Sequence, residues 1–191
     1  MNINIQKETL EKPLSQVIGV VEKRQTLPIL GNVYLELKES VLTLVGSDLE
    51  TEITTRVENV EGSDGKTTVS ARKLYDICRS LPGESQLSLI VEQDNKMIVR
   101  AGKSRFTLQT LAADNYPRLE ETHWKHDFNL SQKQLNSLLT KTSFSMAQQD
   151  VRYFLNGLLI EIHDDHILSV ATDGHRLAKT QVMVQPLGID L

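Results

Sequence analysis

The feature that most constrains this chain is an internal repeat, because a period that is missed leads to a wrong fold. At a constant offset of 125 residues, Ile3, Asn4 and Ile5 recur as Phe128, Asn129 and Leu130, and Leu10 and Leu14 recur as Leu135 and Leu139. The register then holds without a gap: Leu30 matches Leu155, Leu35-Glu36-Leu37 matches Ile160-Glu161-Ile162, Val45 matches Val170, and Ser47-Asp48 matches Thr172-Asp173. One supersecondary unit is therefore built more than once.

Each copy opens with a short alternating strand and continues with apolar positions at helical spacing, Leu10, Leu14, Val17 and Val21 in the first and Leu135, Leu138, Leu139 and Thr142 in the second. Paired alternating runs follow, 33–37 with 41–45 and 158–162 with 167–171, joined by the polar turns 38–40 and 163–166. These predict antiparallel hairpins. Residues 66–110 run through the same order with different letters: a strand at 67–70, a helix at 72–81 carrying Leu74, Ile77 and Leu81, a stop at Pro82-Gly83, then strands at 86–91, 96–101 and 104–110 separated by Asp94-Asn95 and Gly102-Lys103 turns. The reading is an α+β chain of half-units A (1–60), B (66–120) and C (128–185), with 113–126 as connector.

If A and B make one domain, the period predicts a partner for C of about 60 further residues. Only 185–191 follow, so the second domain is expected to be half-built, with an uncovered sheet edge, and the chain to be a truncated product or an excised piece. The amino terminus shows no basic, apolar leader and no apolar run nears the ~20 residues of a membrane span, which predicts a cytoplasmic protein away from membranes. One cysteine, Cys78, makes no internal disulfide and no cysteine-based zinc site. It reads as a buried small residue on a helix.

The net charge of −4 argues against indiscriminate coating of DNA, yet it conceals an asymmetry. Residues 7–24 carry a net +1, 72–81 a net +2 and 131–149 a net +2, so three helical segments hold +5 while everything else holds −9. If each helix packs one apolar face on sheet, the opposite faces form a mildly basic layer suited to phosphate oxygens without any base code. Ordinary solvated helix faces are the competing explanation.

The sharpest local string is 171–178, Ala-Thr-Asp-Gly-His-Arg-Leu-Ala. A hydrolase built on Asp173 and His175 would need a converging nucleophile, and no Gly-x-Ser-x-Gly elbow accompanies it. As plain structure, Asp173-Gly174 is a tight turn. As a binding rim, Gly174 lets the backbone come close while Leu155, Thr172 and Leu177 form an apolar floor edged by Arg152, His175 and Arg176. Spacing alone does not separate the last two. The string His163-Asp164-Asp165-His166 has the look of metal ligands but sits in a hairpin turn, where polar residues are the default. No phosphate-cradling glycine loop is present. The sequence thus calls for no cofactor, no metal and no catalytic residue.

Four stretches, 26–32 (Thr-Leu-Pro-Ile-Leu-Gly-Asn), 71–73 (Ala-Arg-Lys), 149–157 (Gln-Asp-Val-Arg-Tyr-Phe-Leu-Asn-Gly) and 171–178, together resemble the bacterial DNA sliding clamps, the beta subunits of DNA polymerase III, in the right order over residues 1–179. The resemblance implies the DNA-clamp fold, in which β-α-β-β-β half-units place antiparallel sheets outside and helices on the inner face. It implies a first domain over 1–122, the first half of a second over 123–191, and no third domain. It further implies a non-catalytic processivity factor that encircles double-stranded DNA without regard to sequence. Such a clamp tethers the polymerase III alpha subunit, the clamp loader and repair polymerases through short linear peptides, and its full-length form is a head-to-tail homodimer. By the same resemblance Arg24, Arg72, Gln149, Tyr153 and Phe154 face DNA, with phenylalanine at 154 where the family often has tyrosine. The partner cleft maps to Arg152, Leu155, Thr172, Gly174, His175, Arg176 and Leu177, and the ring interface to Lys73, Lys103, Arg105, Phe106 and Leu108 on an exposed strand. A truncated peptide-binding module that never encircles DNA is the other function open to such a piece.

Overall fold

A computed structural model of the chain describes residues 1–21, 27–92, 95–119 and 128–186. It divides into two compact units, Met1–Glu121 and Thr122–Leu191.

In the first unit the order is β1 (Asn2–Gln6), α1 (Lys7–Val17), β2 (Asn32–Lys38), β3 (Val41–Ser47), β4 (Glu52–Val57), β5 (Glu61–Ser63), β6 (Gly65–Ser70), α2 (Ala71–Ser80), β7 (Gln86–Glu92), β8 (Lys96–Ala101) and β9 (Ser104–Leu111). All strand pairings are antiparallel, in the order β4-β3-β2-β6-β9-β8-β7-β1-β5. Two features tie the half-units together. The first strand of each pairs with the second strand of the other: β1 runs along β7 from Asn2↔Ile90 to Gln6↔Gln86, and β6 along β2 from Ser70↔Asn32 to Gly65↔Leu37. The two helices meet each other. Leu10, Leu14 and Val17 of α1 and Leu74 and Cys78 of α2 share one core with Leu35, Leu37, Leu42, Leu44, Leu87, Leu89, Met97 and Val99 of the strands. Burial pushes the Cys78 thiol up to about 12, which keeps it protonated and inert.

The hairpin turns follow from local chemistry. Glu39 and Ser40 both take positive φ, 49° and 63°, between Lys38 and Val41, the two-residue turn whose twist suits β2 and β3. Gly102 at φ 55° serves the β8–β9 turn.

The second unit holds α3 (Gln132–Thr140), β10 (Leu159–Ile162), β11 (His166–Thr172) and β12 (Leu177–Met183), the strands forming a sheet in that order. Ser131 and Gln134 start α3 with a reciprocal cap, the Ser131 hydroxyl accepting from Gln134 N–H at 3.2 Å and Gln134 Oε1 accepting from Ser131 N–H at 3.0 Å.

The structure departs from the sequence expectation at four places. Both outer helices are shorter than 7–24 and 131–149. After Val17 the chain tightens, Val20 N–H reaching Val17 O and Val21 N–H reaching Ile18 O. After Thr140, buried Thr142 donates its hydroxyl to Leu138 O at 2.7 Å and meets the Ser169 hydroxyl of β11 at 2.9 Å, ending the helix against the sheet. Residues 128–130 form no strand. The expected connector begins as packed structure: Ala113 and Tyr116 are buried against Tyr34 and Val45, and Arg118 holds Glu52 through two hydrogen bonds of 3.0 Å.

Candidate functional site

Within the second unit the stretches 149–157 and 172–177 come together around a concavity of about 560 Å³ lined by Phe144, Gln149, Asp150, Arg152, Asp173, His175 and Arg176, among others. Two carboxylates build its walls. Asp150 receives the Arg152 backbone N–H at 2.8 Å and the guanidinium through Nε at 3.0 Å and Nη2 at 2.9 Å. Asp150 is itself fixed, since its N–H and C=O both bond the Asn156 side chain at 3.0 Å. Across the concavity, Asp173 Oδ1 accepts from the N–H groups of His175 and Arg176 at 2.9 Å and its Oδ2 from Arg176 Nε at 3.0 Å. Thr172 closes the turn by donating to Arg176 O at 2.7 Å and accepting from Gly174 N–H at 3.1 Å.

Gly174 is where the walls meet. Its φ of 88° is a conformation that side-chain-bearing residues rarely adopt, and a Cβ there would stand 3.4 Å from Arg152 Nη2. The Arg176 guanidinium lies 5.8 Å from the centre of the Phe144 ring, within cation–π range. The result is a pre-ordered polar rim with an aromatic neighbour, suited to seating a short chain segment. The hydrolase reading fails on geometry: the Asp173 carboxylate is turned to its own loop's N–H groups and to Arg176, the arrangement of a turn-stabilising aspartate.

Paired hydrogen bonds from Arg152 hold the Asp150 carboxyl down at about 2, below its ordinary 3.8. A carboxyl lowered on folding contributes fully above its unfolded value and loses that contribution as pH falls through its folded one. We expect the Arg152 Nε–H signal in NMR spectra to keep its bonded shift at pH 4 and to lose it toward pH 2. Loss already above pH 5 would show that the pair is not formed.

The remaining expected site residues fall as follows. Arg152, His175, Arg176 and Leu177 are exposed, and Leu155 and Thr172 are half-buried, with Leu155 O accepting from Ala147 N–H. Tyr153 and Phe154 lie in a single 3₁₀ turn, 82% and 69% exposed, their rings edge to face at 6.2 Å. Gln149 takes φ 57° in the preceding loop. Arg72 and Lys73 are exposed on α2; Arg24 lies outside the described residues. On β9, Lys103 at the turn and Arg105 point to solvent, whereas Phe106 is half-buried and Leu108 belongs to the core, so side-chain exposure on this strand alternates. Among the described residues β9 meets β6 only at Thr110 and Leu111, which leaves one edge of residues 104–109 without a strand partner there.

The basic helix layer is narrower than expected. Shortened α1 carries Lys7 and Lys12 against Glu8 and Glu11, with Lys7 paired to Glu11 at 2.8 Å, and the surplus rests on α2, where Arg72, Lys73 and Arg79 stand against one Asp76, and on α3, which carries Lys133 and no acid. His163 and His166 stack at 4.4 Å, with His166 bonded to Asp165, and among the described residues no group of three acidic, histidine or cysteine side chains is placed to hold a metal. Sequence reasoning missed Phe144 and the structural part of Asp150. The Asp-x-Arg spacing at 150–152 was the available signal; nothing local marked Phe144.

Among the described residues no helix is long and apolar enough to cross a membrane. Residues 1–120 match the family described as DNA polymerase III beta subunit, N-terminal domain, and residues 129–188 match that family's central domain. The chain is 50% identical over 186 residues to the beta sliding clamp of Pseudomonas aeruginosa, covering 97% of this chain and 50% of that protein. It is 45% identical over 192 residues to the beta sliding clamp of Escherichia coli K12, covering 100% and 51%. A crystal structure of the Pseudomonas aeruginosa clamp bound to griselimycin superposes with a TM-score of 0.92 at 49% identity over 97% of this chain and 50% of that one. A Caulobacter crescentus DNA polymerase sliding clamp gives 0.92 at 32% identity over 100% and 53%. The chain spans about half the length of the relatives it matches. With two family domains matched in order along a fold of paired half-units, the chain belongs to the DNA polymerase III beta subunits, the bacterial sliding clamps.

Proposed function

We propose that this chain serves as part of a DNA polymerase processivity factor in the cytoplasm, binding duplex DNA without sequence preference and holding partner proteins through the concavity of its second unit. In this reading residues 1–122 are the first clamp domain and 123–191 the first half of the second. The protein is non-catalytic. Arg24, Arg72, Gln149, Tyr153 and Phe154 face DNA; Arg152, Leu155, Thr172, Gly174, His175, Arg176 and Leu177 receive short peptides from the polymerase III alpha subunit, the clamp loader and repair polymerases. Lys73, Lys103, Arg105, Phe106 and Leu108 serve a head-to-tail ring of full-length protomers, with the open edge of β9 as its backbone component.

The observation that carries the proposal is the pre-ordered rim at Gly174 and Arg152. Both walls are hydrogen-bonded before any ligand arrives, so a peptide is received with little ordering cost on the protein's side. Weak basic charge on α2 fits a protein that must slide, since strong phosphate contacts would hold it in place.

Two measurements test this. His175→Ala combined with Leu177→Ala is expected to weaken a short hydrophobic peptide by at least ~10-fold while duplex binding persists; unaltered peptide affinity would overturn the cleft. Retention on closed circular duplex should exceed that on linear duplex of equal length. Equal loss from both leaves a peptide-binding module that does not encircle DNA.

A further inference from the structure

Two hairpin turns 125 residues apart are closed in the same way, one between β3 and β4 and one between β11 and β12, with Ser47↔Glu52 and Thr172↔Leu177 as the last strand pairs. Asp173 Oδ1 accepts from the N–H groups of His175 and Arg176, and Asp48 Oδ1 accepts from those of Glu50 at 3.0 Å and Thr51 at 2.6 Å. Thr172 Oγ1 accepts from Gly174 N–H, and Ser47 Oγ accepts from Leu49 N–H at 3.2 Å. One backbone bond crosses each turn, Asp48 N–H to Thr51 O at 3.2 Å and Asp173 N–H to Arg176 O at 3.4 Å. The neighbouring segment repeats as well: single 3₁₀ turns occupy Pro28–Gly31 and Tyr153–Asn156, and Leu30 N–H donates to Leu27 O as Leu155 N–H donates to Arg152 O. The first unit therefore carries the backbone of the second unit's rim, with other side chains on it.

One of those side chains conflicts with its backbone. Gly174 takes φ 88°, and its equivalent Leu49 takes φ 79°. A bulky residue in the left-handed region is an outlier, and strain of this kind collects where a side chain is needed for function. Packing does not account for it: Leu49 is 46% exposed and belongs to neither apolar core. Leu27 stands where Arg152 stands in the second unit, the residue beside Gly174, and Leu27 is 47% exposed. The charge is inverted too. Glu50 and Thr51 replace His175 and Arg176, and Asp48, Glu50 and Glu52 surround the turn, with the nearby Arg118 already bonded to Glu52. We propose that Leu27 and Leu49 form a second docking surface, for a short peptide segment that carries leucine-like side chains next to lysine or arginine. Carboxylates around an apolar pair attract such a segment and repel both phosphates and acidic peptides. The turn is hydrogen-bonded in advance, so little of the protein is ordered on binding. The proposal takes the peptide reading of the second unit's rim as its premise.

The test titrates the 191-residue chain with a short synthetic peptide of leucines and arginines, and with its counterpart bearing glutamate in place of arginine. Amide resonances at 47–51 are expected to shift with the arginine peptide and to stay in place with the glutamate peptide. Leu49→Gly should weaken the arginine peptide by at least ~10-fold. The same variant should melt no lower than the parent, because glycine takes the left-handed backbone without strain. The two rims are read separately: His175→Ala with Leu177→Ala should leave the arginine peptide's affinity unchanged, and Leu49→Gly should leave that of the hydrophobic peptide unchanged. Failure at the second rim alone removes the premise but not the shifts at 47–51. Resonances at 47–51 that ignore the arginine peptide overturn the proposal. So do equal affinities for the two peptides, full affinity in Leu49→Gly, and loss of the arginine peptide on the His175 and Leu177 substitutions, which would seat it in the second unit. A Leu49→Gly melting temperature lower by more than ~5 °C also overturns it, because the leucine would then be there for packing.

Discussion

Gly46→Val is expected to cost the first unit about 3 kcal/mol or more and to lower its melting temperature by roughly 10 °C, among the largest effects available to one side chain here. Gly46 lies in β3 beneath the end of α1. A Cβ at this position would stand 2.6 Å from Val17 O and 2.9 Å from Val20 Cγ1. The first of these is backbone at the last residue of α1, and it already accepts the Val20 N–H that tightens the chain after the helix. No rotamer change relieves it. Valine must lift the helix end from the sheet and disturb Val17, Val20 and Leu44, all buried in the same core. Gly31→Ala is the control, since nothing lies within 4 Å of its Cβ position, and it should change stability by no more than ~0.5 kcal/mol. Equal thermal melts for the two variants would show that α1 and β3 are not in close contact.

Gly46 also shows how far the fold was legible beforehand. Strands at 33–37, 41–45, 96–101 and 104–110 announce themselves by alternation between turn residues, and β2, β3, β8 and β9 lie there. Strands made mainly by pairing do not. β5, Glu-Gly-Ser with all three residues exposed, exists because β1 offers it Asn4, Ile3 and Asn2. β12 has weak side-chain alternation and is fixed by seven residue pairs with β11. β4 is rich in β-branched residues at 53–55 and 57, and the three strands read in half-unit B were a signal that half-unit A needed a third.

The site divides in the same way. The Gly174 turn was legible because a glycine before His and Arg at a strand end marks a place where backbone must turn sharply. Its neighbour was not legible: Arg152 comes beside Gly174 only in the folded unit, and that meeting is a tertiary fact. The charge asymmetry was overstated because helix ends were drawn from apolar spacing. Tight turns after Val17 and the turn at Thr142 end α1 at Val17 and α3 at Thr140, which takes Lys141 off α3.

Leu14→Ala and Leu139→Ala make the second large-effect test, because repeat-equivalent leucines on equivalent helices differ in burial. Leu14, 1% exposed between the sheet and α2, should lose about 3 to 4 kcal/mol on truncation, the transfer free energy of the removed carbons plus the cavity left behind. Leu139, with 38% of its surface open, leaves no closed cavity and should lose about 1 kcal/mol or less in the dilute chain. Hydrogen exchange at the α1 and α3 amides reads each cost locally, so the two units need not unfold together. Two equal costs would mean that Leu139 is packed as closely as Leu14, against the exposures that separate them.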